Sequence, residues 1–380
     1  METSITELVG FLNLNLQAVV MLVIACVLLW LGISKKVEPV LLVPMGVGCM
    51  LANIPLGGVA ESGGFLAVLA EAGIHTEIFP LLIFIGVGAM IDFEPLLQRP
   101  YTIFLGPAAH FGVFGSFFLA YLLGDGWLHL LDFNFKDAAA IGIIGACDGP
   151  TSIYVSTVLG SKYTAPIVVV AYSYMALVPI IQPPVIRAMC SKEERAVKMT
   201  VVKGKISQKV KILFPIITTL VAGLISPMAT PLIGTLMFGN LLRECGVVNS
   251  LSSSAQNEMA NIVTILLGIT VGGTMAGPDF LKTGTILILG LGLVAYILNT
   301  VGGVLLGKLM YRLSGKKINP MIGACGISAF PMSARVVQKM GLEANKQNHL
   351  LMHAVGANVA GQITSVIAGG AILMLVQLFV

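Results

Sequence analysis

The chain has 380 residues, of which 56% are hydrophobic and 11% are charged, and its formal net charge is +4. Because a soluble domain carries about 25% charged residues, this composition excludes a soluble globular protein and predicts a polytopic membrane protein. The small net charge carries little information, since the placement of basic residues matters more than their sum in a membrane protein. We expect no nucleic-acid partner.

Two kinds of site are not indicated by the sequence. The six cysteines form no CxxC pair and lie in or beside apolar segments, which argues against a disulfide framework and against zinc. No GxxxxGK[ST] motif occurs, so we expect that ATP does not drive this protein directly.

Apolar segments follow one another along the chain, with one polar stretch near the middle. They run approximately over residues 18–33, 39–55, 78–96, 101–123, 138–160, 164–188, 212–227, 230–246, 260–276, 285–307, 318–340 and 348–378. Several are short or are interrupted by Gly and Pro, which a plain membrane-spanning helix of about 20 residues does not require. We therefore predict an all-α membrane protein in which some helices are broken.

Charged residues between the segments predict the orientation of the chain. The stretch 187–211 carries eight basic residues against two acidic ones, so it should be cytoplasmic. The loop 56–77 has no Lys or Arg, and the loop 124–136 is also mainly acidic, so both should face outward. These assignments agree only if 138–160 and 318–340 are re-entrant hairpins. The result is about ten crossings plus two re-entrant elements, with both termini outside.

The two halves of the sequence resemble each other. Matching positions lie 187 residues apart at Asn53 and Asn240 and again at Asp92 and Asp279, and the tetrapeptide IGAC begins at both Ile144 and Ile322. Each half has an odd number of crossings, so the halves should be inverted relative to each other, an arrangement typical of ion-coupled transporters. We predict a first repeat over 1–190, a basic cytoplasmic linker over 191–211 and a second repeat over 212–380. Chance similarity among Gly-rich apolar runs is the alternative.

An acidic residue interrupts the apolar stretch IGIIGACDGPTSIYVSTV, residues 141–158. Asp148 is followed directly by Gly149 and Pro150, which break a helix at the carboxylate. A carboxylate at bilayer depth is costly, and a broken helix exposes the carbonyl and hydroxyl oxygens that a hard cation prefers. Asp148 is therefore a candidate sodium ligand. The alternatives are a carboxylate paired with a buried cation and one at the membrane edge.

A second broken element, INPMIGACGISAFPMSARV, covers residues 318–336. Asn319, Ser328 and Ser333 offer neutral oxygens to sodium, whereas Arg335 is permanently cationic. Arg335 could balance Asp148 or bind an anionic group through a bidentate contact, and an arginine at the membrane interface is the alternative.

Two further groups of polar residues fall within apolar segments. Asn358 and Gln362 are four residues apart and share one helical face, where they could complete an ion site or form a helix-packing hydrogen bond. Tyr174 is expected inside the bundle, where its phenol could relay protons or cap an ion, or could be an ordinary hydrogen-bonded core group.

Four motifs occur in order over nearly the whole chain: GVGAMIDFEPLL, GIIGACDGPTSI, NPMIGACGISAFPMSARV and LLMHAVGANVAGQI. They resemble those of the β subunit of the sodium-pumping biotin-dependent decarboxylases, which act on oxaloacetate, methylmalonyl-CoA or glutaconyl-CoA. Cys147 departs from the pair of small residues that many members carry before the aspartate, although a small residue is kept. The chain is shorter at its N-terminus and central loop than many oxaloacetate-type members, which favours an acyl-CoA-type complex.

The resemblance implies a function and a set of partners. Such a β subunit decarboxylates carboxybiotin at the cytoplasmic side of the bacterial inner membrane, exports sodium and consumes an external proton. The biotin is attached to a carrier subunit, not to this chain, and a carboxyltransferase α subunit and a small membrane γ or δ subunit complete the complex. The family also suggests a homotrimer of β subunits.

The resemblance also assigns roles to residues. Asp148 is implied as the essential sodium-site carboxylate, with Asn319, Gly323, Ser328 and Asn358 as further members of the sodium site. Asp148, Tyr174 and Arg335 are implied in catalysis, and Arg335 in binding carboxybiotin.

Two other classes of protein compete with this interpretation. A sodium-coupled symporter of an organic anion would have the same inverted architecture, would lack decarboxylase activity and would need no biotinylated partner, so a neighbouring reading frame for a biotin carrier would distinguish it. A passive channel fits poorly, because paired broken elements and a buried carboxylate favour alternating access.

Overall fold

The structure, a computed structural model, describes residues 9–36, 38–126, 128–200 and 204–380, apart from the side chains of Pro278 and Asp279. Lys203 of the basic stretch and the Asp279 side chain of the matched pair therefore lie outside the described residues. The described part of the chain contains helices and no β-strand. The prediction of an all-α polytopic membrane protein is confirmed.

Ten α-helices lie in the first half of the chain. They are α1 Leu16–Ile33, α2 Pro39–Ala52, α3 Phe65–Leu69, α4 Ile78–Met90, α5 Glu94–Gln98, α6 Leu105–Ala109, α7 Phe111–Leu123, α8 Phe135–Gly142, α9 Gly149–Val158 and α10 Thr164–Met189, among the described residues. A π-helix over Ala70–His75 continues α3, and a 3-10 helix over Pro100–Phe104 leads into α6.

The second half continues with nine α-helices in its described part. They are α11 Lys192–Arg195, α12 Gln208–Ile225, α13 Thr230–Glu244, α14 Asn249–Ser254, α15 Ala260–Gly273, α16 Gly277–Phe280, α17 Thr283–Leu313, α18 Met332–Ala344 and α19 Leu351–Phe379. A second π-helix, Ala255–Met259, joins α14 to α15.

Six helical segments of the described chain are long and apolar enough to cross a membrane. They are α1, the segment Pro100–Leu123, α10, α12, α17 and α19, and a seventh span results if Phe65–His75 and Ile78–Met90, bent by 62°, count as one. Helices α2, α4, α13 and α15 have only 14, 13, 15 and 14 residues. At about 1.5 Å per residue they are shorter than a bilayer core of about 30 Å. The number of crossings stays a prediction.

The short helices cross in pairs, α2 with α15 and α4 with α13, and glycine allows their backbones to touch. A Cβ atom at Gly88 would lie 1.8 Å from the carbonyl oxygen of Leu236, and one at Gly239 would lie 2.0 Å from that of Ile85. Small residues permit such close helix contacts, which provide packing energy where lipid removes the hydrophobic driving force.

The two matched asparagines lie at these crossings. The Asn53 amide donates to the carbonyl of Met275 at 2.8 Å and accepts from the amide of Gly277 at 2.9 Å. Asn240 donates to the carbonyl of Ile91 at 3.1 Å. Each asparagine thus bonds to the backbone at the end of the helix that its own helix crosses.

The chain is broken at both of the positions that the sequence indicates. A 3-10 helix over Ile143–Ala146 and two non-helical residues separate α8 from α9, and a 3-10 helix over Pro320–Cys325 precedes an irregular stretch before α18. Long helices supply side chains to the freed carbonyls: Asn299 of α17 donates to Gly145, and Gln182 of α10 donates to Ala324 at 2.8 Å. Such contacts are required of irregular backbone at membrane depth.

Polar contacts between loops join segments that the sequence places on the same side of the membrane. The pairs on the predicted cytoplasmic side are Lys211 with Glu94, Arg187 with Glu343, Lys308 with Glu194, and Lys198 with Gln347. On the predicted outer side, Lys162 pairs with Asp132. The orientation itself stays a prediction.

We expect cysteine labelling to test this orientation. With the exposed Cys26 replaced, a cysteine at the exposed Lys192 should react with a membrane-impermeant thiol reagent only from the cytoplasm. One at the exposed Ser62 should react only from outside, because its loop has no Lys or Arg. Labelling of both positions from one side would contradict the topology.

Candidate functional site

Asp148 lies in the break between the 3-10 helix Ile143–Ala146 and α9. The preceding Cys147 adopts a left-handed conformation with φ of 57°, and Asp148 is extended with φ of −137°. Its side chain is only 5% exposed. The carboxylate immediately precedes the first turn of α9, where the partial positive charge of the helix N-terminus favours an anion.

Three hydroxyl groups converge on one oxygen of this carboxylate. Asp148 Oδ2 accepts from Thr151 Oγ1 at 2.7 Å, from Ser365 Oγ at 2.9 Å and from Ser328 Oγ at 3.2 Å. The hydroxyls of Ser365 and Ser328 are also 3.2 Å apart. The oxygens come from α9, the second break and α19, so this cluster joins both broken elements to the last helix.

No basic side chain of the described residues lies within 4 Å of the Asp148 carboxylate. The described structure therefore gives no support to the alternative of a buried ion pair, and Arg335 does not balance Asp148 directly. A buried carboxylate that is surrounded by hydroxyls, and not by cations, has the donor set of a site for a hard monovalent cation.

Asn358 and Gln362 of α19 hold the backbone of the second break. Asn358 Nδ2 donates to the carbonyl of Ile327 at 2.6 Å, and Gln362 Nε2 donates to that of Ser328. Asn358 is fully buried, and its Oδ1 atom has no partner within the described structure. One face of α19 thus positions the Ser328 hydroxyl and leaves a buried amide oxygen free.

A cavity of about 450 Å³ reaches Asp148. Its lining is mostly apolar, and its polar residues are Glu38, Asp148, Tyr172, Thr264, Ser328 and Gln362. The cavity connects the oxygen cluster with residues at the start of α2 and the end of α4. It therefore extends from the buried carboxylate to the start of α2 and the end of α4.

The tyrosine beside Asp148 is Tyr172. Its ring packs on Gly149 so closely that a Cβ atom there would lie 2.1 Å from the ring, and it lines the cavity. Its buried hydroxyl has no partner in the described structure. Tyr174 is also buried, but its hydroxyl donates to the carbonyl of Leu289 at 2.6 Å. This geometry agrees with the hydrogen-bonded core alternative for Tyr174.

Asn319 and Gly323 of the implied site lie away from the Asp148 cluster. Asn319 Nδ2 donates to the carbonyls of Arg195 and Val197 at 3.0 and 2.9 Å, which ties the linker to the second broken element. A Cβ at Gly323 would lie 1.9 Å from the carbonyl oxygen of Gly303. In this conformation neither residue contacts Asp148, and their role in sodium binding stays a prediction.

Arg335 is exposed on α18, one turn after Phe330 and Pro331, which line the cavity. Its backbone amide donates to the carbonyl of Pro331 at 3.2 Å. Arg335 does not itself line the cavity, but its positive charge acts on Glu38, which does.

The sequence interpretation missed Ser365 and did not assign Thr151 to the site. A signal existed for Ser365, because it lies seven residues after Asn358 and three after Gln362, on the same helical face. Its hydroxyl was inconspicuous among the small and polar residues of the segment. Thr151 directly follows the Asp-Gly-Pro break and reaches back to Asp148 from the first turn of α9.

The sequence matches known proteins over nearly its whole length. The family described as "Na+-transporting oxaloacetate decarboxylase beta subunit" matches residues 17–376. The chain is 47% identical over 390 residues to the methylmalonyl-CoA decarboxylase subunit beta of Propionigenium modestum, with 96% of both chains covered. It is 48% identical over 374 residues to the glutaconyl-CoA decarboxylase subunit beta of Acidaminococcus fermentans, with 98% of this chain and 97% of that chain covered. The oxaloacetate decarboxylase beta chain of Haemophilus ducreyi is 42% identical over 420 residues, with 96% of both covered.

The all-α membrane fold and the similarity to known proteins define the class of protein, a membrane subunit of an ion-transporting decarboxylase. The chain belongs to the family of Na+-transporting oxaloacetate decarboxylase beta subunits.

Proposed function

We propose that this chain binds sodium at Asp148 and couples its export to the decarboxylation of carboxybiotin, with uptake of an external proton. The observation that carries the proposal is the convergence of three hydroxyls on Asp148 Oδ2 at the buried end of a cavity. The family assignment supports the link to a sodium-transporting decarboxylase.

The oxygen cluster accounts for how one site takes either a sodium ion or a proton. A hydroxyl has one donor and two acceptor lone pairs, so Thr151, Ser328 and Ser365 can rotate from donating to Asp148 to offering oxygen to a cation. The formal charge of Asp148 offsets the dehydration of sodium in a low-dielectric bundle. The unpaired Asn358 Oδ1 provides a further oxygen nearby on α19. A proton on the carboxylate removes that charge, so the two cations compete.

Carboxybiotin is proposed to bind at the cavity mouth. Arg335 offers a planar guanidinium that matches a carboxylate in a bidentate contact, and it is exposed on α18. Because Arg335 does not touch Asp148, sodium binding and decarboxylation are coupled through the conformation of the second broken element, which carries both Ser328 and Arg335. Tyr174 is retained as a candidate catalytic residue by resemblance.

The complex is proposed to contain a carboxyltransferase α subunit, a biotin carrier subunit and a small membrane γ or δ subunit, with three copies of this chain, in a bacterial cytoplasmic membrane. Two relatives named for acyl-CoA substrates are 47% and 48% identical, whereas the relative named for oxaloacetate is 42% identical over a longer alignment. This favours an acyl-CoA-driven complex.

We also propose that residues 1–190 and 212–380 are inverted repeats joined by the linker 191–211. The order of helices supports this proposal. In each half a spanning helix is followed by a short helix, and a π-helix then leads into a second short helix. A further spanning segment, a broken element and a long terminal helix complete each half. The asparagine contacts at the two crossings correspond in the same way.

Decarboxylation of free carboxybiotin by the purified chain tests the function. We expect carbon dioxide release that sodium stimulates. A sodium-coupled organic-anion symporter, the second candidate, would instead take up an anion with sodium and release no carbon dioxide.

Replacing Ser365 tests the oxygen cluster. We expect Ser365→Ala to raise the half-saturating sodium concentration about tenfold, because a hydrogen bond to a charged group contributes about 1.5–3 kcal/mol. Ser156→Ala is the matched control, since the buried Ser156 hydroxyl bonds only to carbonyls of its own helix. Equal sodium dependence of both variants and the unmodified protein would exclude Ser365 from the site.

A further inference from the structure

The cavity that ends at Asp148 has a second carboxylate among its described lining residues, Glu38. The two lie in contrasting surroundings. Asp148 and Ser328 are 5% and 2% exposed, whereas Val40 and Met90, which line the cavity with Glu38, are 61% and 45% exposed. The exposed residues mark the mouth of the cavity and the buried ones its end. Glu38 therefore lies at the mouth.

The mouth opens on the side that the sequence predicts to be cytoplasmic. Glu38 follows Lys35 and Lys36 in the connection between α1 and α2. Met90 is the last residue of α4. The connection that follows contains Arg99 and is also predicted to be cytoplasmic. A sodium ion that is exported must reach Asp148 from this side.

Glu38 is a partly buried carboxylate with a cation close by. It precedes α2 and is half-buried. Burial raises the pKa of the Glu38 carboxyl, and the positive charge of Arg335 opposes this rise and favours the ionised form. A carboxylate at the mouth of a cavity with low-dielectric walls focuses the field and raises the local concentration of cations.

We propose that Glu38 is the cytoplasmic access site for the transported cation, a carboxylate that recruits sodium into the cavity leading to Asp148. This rests on the proposed function, because it presupposes that Asp148 binds the ion. Glu38 acts on the supply of sodium, and the Asp148 cluster holds it. The positive charge of Arg335 favours the ionised form of this carboxylate.

The chain offers a matched control in Glu77. Glu77 is also half-buried, also has a positive φ and also directly precedes a short helix, α4. It does not line the cavity, and it lies in the loop that is predicted to face outward. Loss of the Glu77 charge should therefore leave cytoplasmic sodium recruitment unchanged.

The test is radioactive sodium uptake into inside-out vesicles that contain the complete complex, over a range of sodium concentrations. We expect Glu38→Gln to raise the half-saturating concentration about tenfold, with a much smaller change in maximal rate. Glu38→Asp should retain most of the affinity, and Glu77→Gln should match the unmodified protein. Choline chloride should weaken sodium recruitment in the unmodified protein and not in Glu38→Gln, because salt screens the field of a charge at the mouth of a cavity.

Two results would overturn the proposal. If Glu38→Gln keeps the unmodified half-saturating concentration while Asp148→Asn abolishes uptake, the access role is wrong and the sodium site stands. If Asp148→Asn also transports sodium normally, the proposed function fails and the access role with it. Recovery of assembled complex in detergent establishes for each variant that the protein is folded.

Discussion

Asp148→Asn is expected to abolish sodium-dependent turnover and to leave the protein folded and inserted. The amide is isosteric with the carboxylate and can still accept from Thr151, Ser328 and Ser365, so it removes only the charge. Without that charge the site cannot offset the dehydration of sodium. The measurement is decarboxylation by the reconstituted complex with and without sodium.

The control for this variant is Asp137→Asn. Asp137 is also buried, but it accepts from Ser161 at 2.7 Å and completes the capping box of α8, and it does not line the cavity. Its replacement can lower stability, yet it should preserve sodium stimulation. Sodium-stimulated activity in a well-folded Asp148→Asn variant would remove Asp148 from the ion site.

The unmodified protein should show competition between sodium and protons. Because both bind the Asp148 carboxylate, the half-saturating sodium concentration should rise as pH falls. The measurement is sodium-dependent decarboxylation across a pH series. A sodium affinity that is independent of pH would leave the site in place and refute the competition.

Arg335→Lys is expected to lower activity about 10- to 100-fold, because one charge-assisted hydrogen bond contributes about 1.5–3 kcal/mol. Lysine keeps the positive charge but cannot reproduce the planar fork of a bidentate contact with a carboxylate. The measurement is the rate of carboxybiotin decarboxylation at saturating sodium, with assembly of the complex checked in parallel.

Lys339 provides the control for Arg335. It lies one turn further along α18 and is also exposed, but the cation that acts on the cavity residue Glu38 is Arg335. Lys339→Gln should retain the activity of the unmodified protein. Near-normal activity of Arg335→Lys in an assembled complex would instead favour an arginine that only extends to the membrane interface.

Much of the site could be predicted from strong local signals. A single aspartate followed by Gly149 and Pro150 in an apolar run indicates both a break and an ion site, and Asp148 lies in such a break. Ser328 was identified in the second irregular stretch and contacts Asp148. The break and the contact could be predicted because a carboxylate and helix-breaking residues are costly in a membrane unless they have a function, and sodium binding at Asp148 stays a prediction.

Other features depend on long-range packing that no local pattern specifies. The contact between Ser365 and Asp148 joins residues 217 positions apart, and a serine in an apolar helix is usually bonded to its own backbone. Tyr172 and Tyr174 lie two residues apart on α10, and their side chains point in different directions around the helix. Of the two, Tyr172 lines the cavity. The short crossing helices likewise depend on glycine contacts between distant segments.

Simultaneous measurement of carbon dioxide release and radioactive sodium uptake, in inside-out vesicles that contain the complete complex, tests the central claim most directly. The proposed coupling at Asp148 predicts that both rates rise with the same half-saturating sodium concentration and that both stop in Asp148→Asn. Full decarboxylation in the absence of sodium, or sodium uptake that persists in Asp148→Asn, would contradict it.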